Sequence, residues 1–428
     1  MRWSVSAVVV SALLMCAMVS VAAPITVEHL LSSGHGEAVR QATEAIAELF
    51  NASQDEIEVV VNVVSGGYNE PIIARIIAGT PPDVITTMRI PELLSVMAPL
   101  DAYAQADTVQ QLFIPPALEQ STFEGHLVQL PTECSPLLSF YNVRLWEGAG
   151  LESPAVLYRA GRWDWDNIAR AGQRIARDTN GDGILDIWGM NITGFSVERN
   201  HIFIHQAGGS LFDRFALPTQ SRFNSSQVGY ALQYIHDLIY EKRVMAASAA
   251  TGWEGYGKFI NGEVGVTFEG PWIIGQIRNA GVMSEGEWDI APPPRGPANA
   301  DTMTHTNGVQ LVRESRNPEA AWKWMCFLTT DPQALQIMCG TTGRPSPVLR
   351  QLREYPRIAA PQGTPRNAQV VVDTLVQGGK PFVILSPKAD ELEQVFETEL
   401  IKYFDGTQAL KTTLETVDTH WNRILQEP

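Results

Sequence analysis

A run of β-branched residues near the N-terminus constrains the fold more than any other feature of the chain. The segment "IEVVVNVVS" (57–65) is almost continuously apolar, which is typical of a strand buried on both faces. Before it, "ITVEHLLSS" (25–33) alternates as a strand does, and residues 36–53 carry apolar side chains at helical spacing. Helical patterns return at 69–78 and 91–104. This alternation predicts a parallel β-sheet with helices on both faces.

The rest of the chain leaves room for a second unit of similar size. With 428 residues, the protein is long enough for two lobes of about 150–200 residues each. Helical patterns dominate from 165 to 330, with short strands expected near 186–191 and 264–268. The Pro- and Gly-rich stretch 291–300 is typical of a linker. Ligands of open α/β folds bind beyond the carboxyl ends of the strands, so we expect a site at loops 32–36, 65–69, 86–90 and 131–135.

The first 22 residues are typical of a secretory signal peptide. Arg2 provides a positive charge, an apolar run follows from Ala7 to Val21, and small residues predict cleavage after Ala22. The run is too short to span a bilayer as a stable helix. Met15 before Cys16 does not fit a lipobox. We therefore expect a periplasmic or secreted protein without a lipid anchor.

The acidic composition excludes one class of partner. The formal net charge of −16 repels nucleic acid, so we expect no nucleic-acid partner. Three cysteines lie beyond the leader: Cys134, Cys326 and Cys339. Cys326 and Cys339 are candidates for a disulfide in an oxidising compartment, and buried thiols at all three positions are the alternative.

The stretch "RDTNGDGILDIWG" (177–189) resembles a calcium loop. Its oxygen-bearing side chains occupy alternate positions of a tight turn around Gly183, where they would converge on one ion. The twelfth position is Gly189 instead of a bidentate Glu, and residues 184–188 predict a short buried strand instead of a second helix. A turn that satisfies its own backbone is the favoured interpretation, and a single structural calcium ion is the alternative. The candidate ligands are Asp178, Asn180, Asp182 and Asp186.

Several motifs, taken in order, resemble the family 1 extracellular solute-binding proteins of ABC importers, the family of maltose-binding protein. The motifs cover the chain from about residue 25 to its end, and each is weak alone, but their shared order is specific. They are "AGTPPDV" (78–84), "FEGHLVQLP" (123–131), "FYNVRLWEGAGLESP" (140–154), "WDWDNIARAGQRI" (163–175), "FINGEVGVTFEGPW" (259–272), "NPEAAWKWMCFLTT" (317–330) and "GRPSPV" (343–348). The calcium-like loop also has counterparts in this family.

The resemblance implies a fold and a function. The fold would be the two-lobed type II periplasmic binding fold, in which each lobe is a β-sheet flanked by helices and a hinge joins the lobes. Lobe 1 would comprise residues 23–131 and 297–350, and lobe 2 residues 132–296 and 351–428. A sugar or related polyol, with a glycerol-phosphate-like solute as a variant, would bind in the cleft and be delivered to ABC permease subunits by hinge closure. We expect a monomer that is not an enzyme and requires no cofactor.

Trp272 is the sharpest site candidate, because the Trp of the matching "GPW" stacks on sugar in maltose-binding protein. A core Trp that closes a turn is its alternative. His35 and Arg89 have surface or loop roles as alternatives, and Arg344 is a candidate to clamp a carboxylate, a phosphate or a pair of hydroxyls. The full set of expected ligand-binding residues is His35, Tyr68, Thr87, Arg89, Glu133, Ser135, Glu198, Arg199, Asn200, Trp253, Glu269, Trp272, Thr306, Asn307, Gly308 and Arg344.

Two other functional classes remain open from the sequence. A secreted glycosidase would need two carboxylates across a cleft, and the 47 acidic residues permit that. A calcium-stabilised surface protein would rest on the imperfect loop alone. His201 and His205 have the spacing of a metal pair on a helix, but no third ligand accompanies them.

Overall fold

The larger β-sheet joins the N-terminal strands to strands that come much later in the chain. The computed structural model describes residues 23–64, 69–86, 93–192, 197–247, 254–377, 379–381 and 384–427, without the side chains of 198–200 and 254–256. The sheet order is β11–β10–β3–β1–β2, and β6 also pairs with β10. These strands are β1 Ile25–Ser32, β2 Ile57–Val64, β3 Val84–Thr86, β6 Leu130–Pro136, β10 Met303–Leu311 and β11 Lys380–Pro381, and a small hairpin forms from β4 Thr122–Phe123 and β5 His126–Leu127.

The prediction of a parallel sheet is confirmed for its first three strands. Strand β1 pairs in parallel with β2 and β3, as consecutive strand–helix–strand units require. Strand β10 runs antiparallel to both β3 and β6, because it enters the sheet directly from the second half of the chain and not through a crossover helix. The sheet is therefore mixed.

The prediction that residues 57–65 are buried on both faces is wrong. Strand β2 lies at the edge of the sheet, and both Val60 and Val63 are 38% exposed. A β-branched run favours a strand at either position, but its burial depends on the order of strands in the sheet, which the run itself does not encode.

The second sheet has three antiparallel strands. Strand β7 (Leu138–Asn142) is buried throughout and lies between β8 (Val266–Glu269) and β9 (Trp288–Ala291). Strand β8 confirms the strand expected near 264–268. The strand expected at 184–188 is wrong, since only isolated bridges form there and Ile184 is 65% exposed.

Helices cover both sheets. The longest in the first half is α1, whose buried face includes Val39, Ala42 and Ile46 at the spacing seen in the sequence. The helices are α1 Glu37–Ser53, α2 Asn69–Ile77, α3 Asp101–Asp107, α4 Pro115–Glu119, α5 Val143–Gly148, α6 Pro154–Arg159, α7 Trp165–Ile175, α8 Val197–Gln206, α9 Ser226–Tyr240, α10 Glu254–Ile260, α11 Ile274–Ala280, α12 Pro318–Thr330, α13 Pro332–Thr342, α14 Leu349–Leu352, α15 Tyr355–Ala359, α16 Gln369–Gln377, α17 Ala389–Phe404 and α18 Leu410–Gln426. None of the described helices is long and apolar enough to cross a membrane.

Each sheet has its own hydrophobic core. The core of the larger sheet includes Ile46 and Trp324, and that of the smaller sheet includes Phe140 and Trp288. The chain passes from the core of the larger sheet to that of the smaller sheet along β6 and β7. It returns to the larger sheet's core along β10 and passes to the smaller sheet's core again around α14. The lobe boundaries inferred from the sequence remain a proposal, which these changes of core support.

Candidate functional site

A cavity of about 220 Å³ separates the start of α1 from the start of α11. Helix α1 packs on the larger sheet, whereas α11 follows β8 of the smaller one, so the cavity lies in the cleft between the two sheets. Its lining combines residues of the first turn of α1 with residues around α11 and the end of α13, namely His35, Gly36, Glu37, Ala38, Val39, Trp272, Gly275, Gln276, Asn279, Thr342 and Arg344. The 3₁₀ turn Ser33–His35 after β1 carries His35 to this position.

Part of the cavity wall was missed from the sequence. Gly275, Gln276 and Asn279 follow Trp272 at intervals of three, four and seven residues, so they share one face of the turn and helix that begin at Pro271. That periodicity, applied forward from the "GPW" motif, is the signal that would have found them.

Trp272 is positioned by a hydrogen bond and a ring contact along its edge and by Gly270 beneath the ring. Its indole Nε1 donates a hydrogen bond to Glu269 Oε2 at 2.9 Å, and the ring meets the His305 ring edge-on, with centroids 6.3 Å apart. Gly270 lies directly under the indole, and a Cβ at that position would collide with the ring. The ring is partly buried and lines the cavity, while Glu269 is fully buried beside it.

Glu133 is the centre of a buried polar network. Its carboxylate forms an ion pair with Arg344, accepts a hydrogen bond from the Asn307 amide and accepts another from Ser135 Oγ at 3.0 Å. Burial by itself raises the pKa of Glu133, but the positive charge of Arg344 and the hydrogen bond from Asn307 outweigh it and hold the pKa below its usual range. The carboxylate is therefore ionised at neutral pH, and most of its acceptor capacity is already used.

His35 lies next to this network and is neutral. Burial and the nearby charge of Arg344 lower the pKa of the imidazole to about 3. Arg344 Nη2 also donates to the backbone carbonyl of His35 at 3.3 Å. The side chain is 5% exposed, and its Nε2 has no hydrogen-bond partner among the described residues.

The crossing of β6 and β10 brings further predicted residues to the same place. Thr306 and Asn307 are 6% and 4% exposed, and the pairing register shifts between Asn307 and Gly308. A Cβ on Gly308 would lie 2.5 Å from the Leu130 carbonyl oxygen, so close approach of the two strands explains this glycine. A contact of Gly308 with ligand stays a prediction.

The structure thus brings nine predicted residues into one region, namely His35, Glu133, Ser135, Glu269, Trp272, Thr306, Asn307, Gly308 and Arg344. Tyr68, Thr87, Arg89 and Trp253 lie outside the described residues, as do the signal peptide at 1–22 and the side chains of Glu198, Arg199 and Asn200.

The calcium-like loop is built as a turn whose side chains accept from its own backbone. Asp178 accepts from the N–H groups of Gly181 and Gly183, both at 2.7 Å, and Asp186 accepts from Thr179 N–H at 2.7 Å. Asn180 and Asp182 accept from N–H groups two residues ahead. Within the described part of the chain, no group of three or more His, Cys, Asp or Glu side chains is arranged to hold a metal ion. A structural calcium ion remains a hypothesis to be tested.

His205 Nε2 lies 3.0 Å from Asp301 Oδ2, and a metal pair of His205 with His201 stays untested. Cys134, Cys326 and Cys339 are free thiols, and burial raises the pKa of each to about 12. Of the two alternatives for the cysteines, the structure has the unpaired thiols.

Comparisons with known proteins agree with the two-sheet architecture. The maltotriose-binding protein of Pyrococcus abyssi is 23% identical over 396 residues, which is 86% of this chain and 80% of that protein. An ABC substrate-binding protein from Listeria monocytogenes, solved in complex with cycloalternan, superposes with a TM-score of 0.78 at 18% identity and covers 94% of this chain and 98% of its own. A solute-binding protein from Thermotoga lettingae bound with α-D-tagatose gives a TM-score of 0.76 at 18% identity, with 94% and 100% covered.

These solved structures establish the fold as the two-lobed one expected from the sequence, with a β-sheet and flanking helices in each lobe. The family model of bacterial extracellular solute-binding proteins matches residues 34–335, which is well over half of the chain and contains most of the cleft. The chain belongs to the bacterial extracellular solute-binding protein family.

Proposed function

We propose that this protein is the extracytoplasmic binding component of an ABC importer and that it captures a sugar or related polyol in the cleft between its lobes. The observation that carries the proposal is that the Trp272 ring lines the same cavity as Arg344, the exposed end of the Glu133 network, and the amides of Gln276 and Asn279. A sugar presents apolar C–H faces that stack on aromatic rings and hydroxyls that bind carboxylates and amides. Both kinds of partner are held rigidly here, which lowers the entropic cost of binding.

The relatives support the same class of ligand. Those named above are described with maltotriose, cycloalternan and tagatose, all of them carbohydrates. They give no support to a glycerol-phosphate-like ligand. Arg344, the cleft cation that would have favoured an anion, is neutralised by Glu133.

An enzymatic role is disfavoured by the state of Glu133, one of the carboxylates at the cleft. A glycosidase needs a carboxylic acid that donates a proton, which requires a raised pKa. The pKa of Glu133 is instead lowered, chiefly because Arg344 offsets the effect of burial. We therefore propose binding without catalysis.

Delivery would follow from closure of the two lobes around the ligand. A ligand that contacts both α1 and α11 binds the closed state better, and that difference in affinity shifts the population towards closure. The closed form would present a surface to the permease subunits. Secretion through a cleaved leader would place a monomer outside the cytoplasm.

The test combines a thermal-shift screen with X-ray scattering. Maltotriose, tagatose, simple polyols, glycerol 3-phosphate and calcium are screened separately, and a specific ligand raises the melting temperature further as its concentration rises above the dissociation constant. A sugar hit should reduce the radius of gyration of the monomer. Stabilisation by calcium alone, or turnover of a chromogenic glycoside, would contradict the proposal.

A further inference from the structure

A second, smaller cavity adjoins the cleft cavity at His35, and we call it the inner cavity because core residues such as Leu328 and Met338 line it. Its volume is about 20 Å³, and His35 and Arg344 line both cavities. Since a cavity of roughly 10–15 Å³ is needed to hold one water molecule, this one has room for a single oxygen atom and its hydrogens. A whole phosphate or carboxylate group does not fit, but one of its oxygens would, so discrimination has to come from charge and hydrogen bonding.

The tautomer of His35 determines whether Nε2 donates or accepts a hydrogen bond. The Thr86 backbone lies close enough to the His35 ring to favour an N–H on it, while Nε2 has no partner among the described residues. We therefore assign the N–H of the neutral ring to Nδ1, which leaves a lone pair on Nε2. A lone pair accepts from O–H or N–H groups and repels an anionic oxygen.

No unneutralised positive charge offsets that repulsion among the described residues at the cavity. Arg344 is paired with Glu133, whose side chain is 3% exposed, so the two charges cancel at close range. The positive end of α1 borders the outer cavity, but Glu37 lies in its first turn and compensates it. The groups closest to the inner cavity thus favour a neutral donor.

We propose that the inner cavity is a hydroxyl-selective subsite, which takes one O–H group of a neutral sugar as a donor to His35 Nε2 and discriminates against a carboxylate or phosphate in that place. This inference rests on the proposed sugar-binding function and narrows it to neutral sugars and polyols. Selectivity of this kind arises because the wrong group leaves a buried polar atom without its partner.

The first experiment compares matched neutral and acidic sugars by titration calorimetry. The pairs are glucose with glucuronic acid and galactose with galacturonic acid, and glucose 6-phosphate, maltotriose and tagatose complete the panel. We expect neutral members to bind and each acidic partner to bind at least about tenfold more weakly, a difference of about 1.4 kcal/mol. If an acidic sugar binds as tightly as its neutral partner, the inference is wrong while sugar binding stands. If no member of the panel binds, the proposed function itself is wrong, and the inference with it.

Two variants of His35 separate the roles of its nitrogens. In His35→Asn the amide N–H replaces that of Nδ1 beside Thr86, but the acceptor at Nε2 is lost. In His35→Gln the amide reaches the position of Nε2. We expect His35→Asn to weaken binding of the tightest neutral sugar by about two- to tenfold, with His35→Gln closer to the wild type. Thermal unfolding of both variants checks that they fold, and wild-type affinity in a folded His35→Asn protein would overturn the proposal.

A third variant tests the charge balance. Glu133→Gln removes the carboxylate and leaves the Arg344 guanidinium without its counter-ion. The ratio of glucuronic acid affinity to glucose affinity should then rise by about tenfold or more above the wild-type ratio. A ratio that stays at the wild-type value would show that the ion pair does not set the discrimination and would overturn this part of the inference.

Discussion

The guanidinium of Arg344 and the carboxylate of Glu133 form an ion pair in which the two side chains are 14% and 3% exposed. The residues lie 211 positions apart in the sequence, and the pair joins the loop after α13 to strand β6, where the chain passes from one core to the other. It therefore connects a loop at one end of the cleft to the strand along which the chain passes between the two cores.

Loss of Arg344 should destabilise the protein. Arg344→Ala leaves Glu133 buried without its counter-ion, and breaking such a pair from one side costs about 3 kcal/mol or more. Urea unfolding measures the change. The matched control is Arg357→Ala, which removes the exposed ion pair with Glu354 and should cost well under about 1 kcal/mol. Equal effects of the two substitutions would mean that the cleft pair is solvated.

Truncation of Trp272 should weaken binding more than it weakens the fold. Trp272→Ala removes a ring that faces an open cavity, so binding of a neutral sugar should weaken by about 1.5–3 kcal/mol while no sealed void forms. The control is Trp288→Ala, whose ring is 1% exposed and packs against Phe140, and which should cost about 3–5 kcal/mol of stability. Calorimetry beside thermal unfolding separates the two effects. A Trp272→Ala protein that binds normally contradicts the stacking role.

Much of the fold was accessible from the sequence, because local patterns determine local structure. Strand β1, helix α1 and strand β8 follow from alternation and helical spacing. The sequence did not predict that β2 lies at the edge of the sheet or that β10 runs antiparallel to its neighbours. Both features depend on how distant strands are ordered in the sheet.

The site divides in the same way. Trp272 and Glu133 were predicted as site residues from the motifs around them. Gln276 and Asn279 can be recognised as site residues only from the structure, in which α11 lies opposite α1. The ion pair between Glu133 and Arg344 could not be predicted, because neither local sequence indicates that the two residues are close in space.

Buried His29 should make stability depend on pH. Burial lowers its pKa to about 3, whereas an unfolded histidine titrates near 6.5. Below pH 6.5 the unfolded chain binds a proton that the folded chain does not, so the free energy of unfolding falls as the pH drops from 6.5 towards 3, by about 1.4 kcal/mol per pH unit. In His29→Gln the slope of the free energy of unfolding against pH, measured between about pH 5 and 6.5, should be smaller by about 1.4 kcal/mol per pH unit. His126→Gln, whose side chain is 65% exposed, is the control and should keep the wild-type slope.

The loop at 177–189 should be indifferent to calcium. Asp178, Asn180, Asp182 and Asp186 already accept hydrogen bonds from the loop itself, so the turn holds its shape without an ion. We expect the same melting temperature in chelator and in millimolar calcium. A rise in calcium that disappears in an Asp178→Asn, Asp182→Asn double variant would instead establish a structural calcium site.

Replacement of Gly308 should destabilise the crossing of β6 and β10. A Cβ there would lie 2.5 Å from the Leu130 carbonyl oxygen and 2.7 Å from Gln129 Oε1, so Gly308→Ala must push the two strands apart at the register shift. Overpacking of this kind costs about 1–3 kcal/mol. The control is Gly148→Ala at the end of α5, where a Cβ meets nothing within 4 Å and the change should be neutral or slightly stabilising. Because these strands connect the two lobes, Gly308→Ala should also reduce the ligand-dependent change in the radius of gyration. If Gly308→Ala unfolds at the same urea concentration as Gly148→Ala and closes normally, the close approach of the strands plays no part in stability or in lobe movement.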